Sequence, residues 1–120
     1  MKLYKIKKSN IDNKGLVATK NIKKGTRIIY YKGKLISKKE SEVNPKFDNS
    51  KRIYLFEINK KYDLDGDYNF NTARLINHSC NPNCEVEIKN GKIWIVSIKN
   101  IKKGVELSYD YGYEFDEEDY

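Results

Sequence analysis

The sequence predicts a mainly β fold of small sheets with one or two short helices. Three observations predict it. Short runs rich in β-branched and aromatic residues recur at 3–7, 16–19, 27–31, 53–58, 85–88, 92–98 and 105–109, punctuated by Gly, Asn and Lys. One good helix start stands among them. Asn90-Gly91 sits between two of the runs, the dipeptide that most favours a tight hairpin.

The first run is basic and alternating, and 1–10 lacks the apolar centre of a signal peptide. The second and third runs flank Lys20-Asn21-Ile22-Lys23-Lys24-Gly25, which recurs letter for letter as Lys99-Asn100-Ile101-Lys102-Lys103-Gly104. Each copy predicts a turn whose Gly takes a left-handed backbone. Two copies are too few for a solenoid. Ser37-Lys38-Lys39-Glu40 has capping-box form, so a helix begins there, and Asn44-Pro45 keeps it short. Positions 45–51 read as a mobile loop and 72–76 as one further turn. In the hairpin, Val86 and Ile88 share one face and Trp94, Val96 and Ile98 another.

At 120 residues the chain is one domain, and 38% hydrophobic with 34% charged residues fits a soluble globular one. No apolar run approaches the ~20 residues of a membrane helix, so no membrane partner is expected. Two cysteines, Cys80 and Cys84, are too few for a disulfide framework, and a reducing, intracellular setting is expected. The net charge is +7, but Lys, Asn and Ile supply 48 of the 120 residues. That bias weakens the charge as an argument for nucleic acid. Seven acids and no Lys or Arg occupy 106–120, whereas the preceding 105 residues carry 24 bases against 10 acids. The tail is either a solvated terminus or an acidic lip for a basic substrate.

Two segments concentrate chemistry: Arg74-Leu75-Ile76-Asn77-His78-Ser79-Cys80 with Cys84 close behind, and Glu106-Leu107-Ser108-Tyr109-Asp110-Tyr111. Residue chemistry alone leaves several readings open. His78, Cys80 and Cys84 supply three zinc ligands where a structural site uses four. His78 and Cys80 make a nucleophile pair only if space brings them together. Alternating Tyr109, Tyr111 and Tyr113 fit an amphipathic core or rim. Arg27, Lys32, Lys34, Lys38 and Lys39, mixed with Tyr30 and Tyr31, suit nucleic acid or a solvated face.

In order along nearly the whole chain, these segments resemble the SET domain, the β-rich (β-clip-like) fold of S-adenosylmethionine-dependent protein lysine methyltransferases. Gly15-Leu16-Val17-Ala18 resembles the end of its first cofactor motif, and Tyr31-Lys32-Gly33 its Tyr-x-Gly-Glu motif. Tyr54-Leu55-Phe56-Glu57 and Asp63-Leu64-Asp65-Gly66 resemble its central strands. Asn77-His78-Ser79-Cys80 and Glu106-Leu107-Ser108-Tyr109-Asp110-Tyr111 match its two signatures. Asn13 stands where the family has the first Gly of Gly-x-Gly, and Lys34 where it has Glu.

The resemblance implies a C-terminal pseudoknot that threads the second signature beside the first. It implies a SET domain over 1–112, and the acidic, aromatic tail over 113–120 is then expected to cover the substrate channel, with a second subunit as the alternative cover. It implies S-adenosylmethionine as cofactor, held by Lys14, Gly15, Tyr54, Arg74, Asn77 and His78. A lysine channel would be lined by Tyr31, Phe56, Tyr109, Tyr111, Tyr113 and Phe115. Tyr111 would be the principal catalytic tyrosine, with Tyr109 and Tyr31 beside it and Tyr109 setting the product. Many members bind zinc through a following cysteine-rich segment. The sequence contains none, which implies closure without metal and Cys80 packed as a small hydrophobe. The implied partner is a protein carrying a target lysine, a histone tail or another basic protein. The implied location is the nucleus for a histone substrate and otherwise the cytoplasm. The chain is read as a monomer or homodimer. Direct nucleic-acid binding stays open, and the alternative is a non-catalytic SET-like module that binds a peptide or nucleic acid.

Overall fold

The computed structural model describes residues 2–9, 11, 13–47 and 53–112. Among the described residues, ten short strands and one α-helix follow in order: β1 (Tyr4–Lys8), β2 (Lys14–Ala18), β3 (Arg27–Tyr31), β4 (Lys34–Ser37), α1 (Lys38–Val43), β5 (Leu55–Glu57), β6 (Tyr62–Asp65), β7 (Asn77–His78), β8 (Cys84–Lys89), β9 (Lys92–Ser97) and β10 (Ser108–Tyr109). They form four small sheets: β1-β2, β3-β9-β8, β4-β6-β5, and the parallel pair β7-β10. No described helix is long and apolar enough to cross a membrane.

The core lies under β3-β9-β8. Ile93 and Ile95 of β9 pack there with Ile29 and Tyr31 of β3, Leu16 and Ala18 of β2, and Ile76 and Leu107. The Asn90-Gly91 hairpin forms as its sequence requires, with φ of 53° and 75°. Val86 and Ile88 face Ile95 and Ile93, while Trp94 and Val96 pair with Glu87 and Glu85. The helix begins at Ser37, whose hydroxyl accepts from the Glu40 N–H at 3.1 Å. It ends where the Asn44 N–H reaches the Glu40 carbonyl, directly before Pro45.

Three strands carry no β-propensity signal of their own, and of these only β6 was expected, from the resemblance of Asp63-Leu64-Asp65-Gly66 to a central strand. β4 is a mostly exposed edge and β7 is two residues long, so neither has a periodic signature. β6 reads Tyr-Asp-Leu-Asp, and acids are poor strand formers. Its Asp63 and Asp65 are buried because Lys38 and Lys46 reach them at 2.5 and 2.6 Å. Of the expected mobile loop 45–51, Pro45–Phe47 is instead a 3₁₀ turn. Burial of Phe47 organises it, and the remainder lies outside the described residues. The 72–76 turn is a 3₁₀ helix over Thr72–Leu75. The run 53–58 shortens to β5, and 105–109 to β10 with a bridge from Glu106 to Val17.

The repeated hexapeptides find each other. Ile22 and Ile101 exchange both backbone hydrogen bonds, at 2.7 and 2.8 Å. Asn21 Oδ1 accepts from the Lys103 N–H and Asn100 Oδ1 from the Lys24 N–H, both at 2.9 Å. Gly25 and Gly104 take matching φ of 86° and 87°. Two identical turns thus pair about a local pseudo-twofold axis. A Cβ on either glycine would meet nothing within 4 Å, so only backbone strain opposes a larger residue. Gly25→Ala and Gly104→Ala are therefore expected to destabilise the fold by a similar ~1–2 kcal/mol each. Urea unfolding of both variants checks this, and a neutral effect at either position contradicts it.

Candidate active site

The second signature segment runs between β2 and β7. The Leu107 N–H donates to the Leu16 carbonyl at 2.8 Å, and Ser108 and Tyr109 pair in parallel with Asn77 and His78. Beyond the 77–83 loop, Asn83 completes the grip. Its Nδ2 donates to the Glu106 carbonyl at 2.8 Å, and its Oδ1 accepts from the Ser108 N–H at 2.9 Å. This is the expected pseudoknot, and it brings the two signatures together.

A cleft of about 850 Å³ opens beside this junction. Lys14, Tyr54, Arg74, Asn77, His78 and Tyr111 line it, so five of the six expected cofactor residues and the principal tyrosine share one cavity. The sixth, Gly15, follows Lys14 in β2. The space it leaves is taken by Glu106 and Asn77, since a Cβ there would lie 2.6 Å from Glu106 Oε2 and 3.1 Å from Asn77 Nδ2. Ile6, Ile11, Ile53 and Leu75 give the cleft apolar wall. Arg74 is oriented by the preceding loop, with Nε donating to the Tyr68 carbonyl and a terminal nitrogen to Asn69 Oδ1, both at 3.1 Å.

His78 is fixed from the threaded side. The Tyr111 N–H donates to Nδ1 at 3.0 Å. Nδ1 therefore holds a lone pair, and the ring proton sits on Nε2, 3.4 Å from Cys80 Sγ. Cys80 is exposed, which corrects the expectation that it packs as a small hydrophobe. It lies on the surface loop, and Cys84, opening β8, is the buried cysteine. Desolvation pushes the Cys84 thiol up to about 12, against a lowering backbone hydrogen bond from Ser108. Among the described residues, no group of three or more His, Cys, Asp or Glu could hold a metal ion.

The expected channel residues Tyr31, Phe56, Tyr109 and Tyr111 form a contiguous aromatic row beside the cleft. Tyr31 meets Phe56 edge-on with ring centroids 4.8 Å apart, Phe56 lies 6.5 Å from Tyr109, and Tyr109 lies 4.7 Å from Tyr111. Among the described residues of the row, Tyr111 is the one that also lines the cleft, and its hydroxyl donates to the Ile76 carbonyl. Tyr31 is buried, and its hydroxyl donates to the Tyr54 carbonyl at 3.2 Å. Burial above all, then the neighbouring Tyr111, Tyr54 and Asp65, holds that phenol far above its ordinary range. It stays protonated at any working pH. Tyr113 and Phe115, with the rest of the acidic tail, lie outside the described residues.

The basic patch is divided among separate partners. Arg27 bonds Glu87 at 2.6 Å, Lys38 bonds Asp63 and Glu57, and Lys34 lies over the Tyr68 ring. Three residues of the site region were missed at the level of sequence. Asn71 lines the cleft and is wholly buried, tying the Lys32 N–H to the Gly66 carbonyl. Ser9 and Glu106 stand behind the cleft. Only Glu106 carried a signal, as the first letter of its signature.

Comparison with known proteins agrees with this geometry. The family model for the SET domain matches residues 13–112. Histone-lysine N-methyltransferase 2D of Homo sapiens is 38% identical over 117 residues, covering 92% of this chain and 2% of that protein. Histone-lysine N-methyltransferase trr of Drosophila melanogaster is 39% identical, covering 92% of this chain and 5% of that protein. The chain thus spans a small part of these relatives. Among solved structures, an apo ctPRC2 with mutations in Ezh2 superposes with a TM-score of 0.79 at 31% identity, over 97% of this chain and 16% of that one.

Proposed function

The chain belongs to the SET-domain family, and from that premise we propose that it transfers a methyl group from S-adenosylmethionine to the ε-amine of a lysine in a basic protein. A histone tail is the substrate class we infer from the names of the relatives, with the nucleus as the compartment that follows. The observation carrying the reading is the meeting of cleft and aromatic row at Tyr111. One ligand fills the cleft while a lysine side chain enters along the row, and their reacting ends converge there.

The cleft suits the cofactor. Its volume is in the usual range for small-molecule sites, and it combines apolar wall with Arg74, Asn77 and His78 as polar groups. When bound, S-adenosylmethionine supplies an electrophilic methyl group on a cationic sulfur. The chain's own task is to deliver a neutral amine in line with it. A free lysine titrates near ~10.4. Tyr31, Phe56 and Tyr109 surround its stem with low-dielectric wall, which disfavours the ammonium. The raised phenol of Tyr31 cannot take the proton, so Tyr31 serves as wall and the proton leaves to solvent before the amine is enclosed. Tyr111, anchored at its hydroxyl and its backbone N–H, sets where amine and methyl meet. Tyr109 limits the room beside the nitrogen.

The chain leaves the cleft at Tyr111-Gly112. We extend the reading to a catalytic unit over 1–112 and a cover supplied by 113–120. The five acids of 113–120, set against a basic body, support attraction of a basic substrate.

Three outcomes test these assignments. Tyr111→Phe is expected to lower methyl transfer by roughly 100-fold or more while cofactor affinity stays near that of the parent. Near-normal turnover in a radiolabel assay removes Tyr111 from the chemistry. The unaltered chain should give mainly mono-methyl-lysine, and Tyr109→Phe should raise the methylation state. Efficient tri-methylation by the unaltered chain, read by mass spectrometry, contradicts this. A chain ending at Gly112 should still bind S-adenosylmethionine but lose most turnover on a basic peptide. Full activity of that shortened chain overturns the assigned cover.

A further inference from the structure

We propose that Glu106 is the positioning residue of the cofactor cleft, its carboxylate fixing the cleft residues Asn77, Ile11 and Lys14 from behind, in part through Ser9. The inference rests on the reading of the cleft given above. Ser9 Oγ lies 2.7 and 2.8 Å from the two carboxylate oxygens, between which its single proton is shared. Asn77 Nδ2 donates to Glu106 Oε2 at 3.0 Å. That same nitrogen is 3.0 Å from the Lys14 carbonyl and 3.0 Å from Ser9 Oγ. Three acceptors around one amide nitrogen decide which way the Asn77 side chain faces. Ser9 Oγ in turn accepts from the Ile11 N–H at 2.8 Å.

Ile11, Lys14 and Asn77 line the cleft, whereas Ser9 and Glu106 do not. The carboxylate therefore acts through its neighbours. It sits in the space that Gly15 leaves, beside β2, and its own backbone bridges Val17. One charged group thus joins the start of the chain, the first signature and the threaded segment. Glutamine at this position keeps the shape but turns one acceptor oxygen into a donor, facing a hydroxyl and an amide that already donate. The wall then loses its fixed orientation while the ring contacts of Tyr31, Phe56 and Tyr109 are kept.

The test is calorimetric titration of the full chain with S-adenosylmethionine, beside steady-state kinetics on a lysine peptide. Glu106→Gln should weaken cofactor affinity about tenfold, the effect of one lost charged hydrogen bond. The cofactor KM should rise in parallel, while kcat at saturating cofactor stays within about twofold. A purely structural role would lower the melting temperature without that split. Ser9→Ala, a change on the chain's outer segment, probes the same network should the first variant fold poorly. It should weaken cofactor affinity, and in the double variant the two effects should be less than additive. Unchanged affinity in both single variants overturns the inference and leaves the cleft reading standing. No saturable binding by the unaltered chain overturns the cleft reading itself, and this inference with it.

Discussion

Everything in the site depends on how four residues, Glu106 to Tyr109, are held. A two-residue parallel ladder such as β7-β10 contributes little by itself. Here the segment has partners on every side. Leu107 bonds β2 on one edge, and the side chain of Asn83 stands in for a strand on the other by both donating and accepting. Buried Leu107 and Ser108 would otherwise carry unsatisfied backbone groups at a cost comparable to the hydrogen bonds lost. Without this grip Tyr109 and Tyr111 would have no fixed relation to Asn77 and His78.

The paired hexapeptide turns explain how residues far apart in sequence arrive there. The Ile22–Ile101 bridge brackets the core from both ends, with both side chains buried. It carries β2 and the threaded segment out of the turns side by side, so Leu16 and Leu107 are already neighbours. The mutual Asn21 and Asn100 caps favour this pairing over any other turn of the chain, because each asparagine satisfies the N–H that the other copy exposes.

Much of this was legible in the sequence, for reasons that separate cleanly. The hairpin and the helix start were readable because Asn90-Gly91 and Ser37 act through local geometry. The two signatures were readable as strings, yet their meeting is a product of threading that no local pattern encodes. The repeat predicted two turns and could not predict their union. β6 was reached only through the family resemblance and not through its own pattern, because its acids look like loop residues until Lys38 and Lys46 are seen beside them. Cys80 was expected to pack inside and lies exposed, while Cys84 is the buried one, since four residues of spacing do not say which lies on the loop. Ser9 and Asn71 are ordinary polar letters, and only burial or partners give them meaning.

The buried acids also bear on the chemistry proposed for the aromatic row. Asp65 is wholly buried and close enough to Tyr31 to help raise its phenol. An unpaired carboxylate there would equally favour a protonated lysine in the channel, the wrong state for attack. Lys46 meets Asp65 at 2.6 Å, and that hydrogen bond is the main reason its own ammonium is held above the ordinary lysine range. Lys38 does the same for Asp63, supported by Glu57. The helix and the 3₁₀ turn after β4 thus bring two fixed cations against the acids of β6. Paired in this way, those acids favour an ammonium in the neighbouring aromatic row less than bare carboxylates would. On the proposed reading, that is what lets a neutral amine persist beside the buried acids and meet a cationic methyl donor.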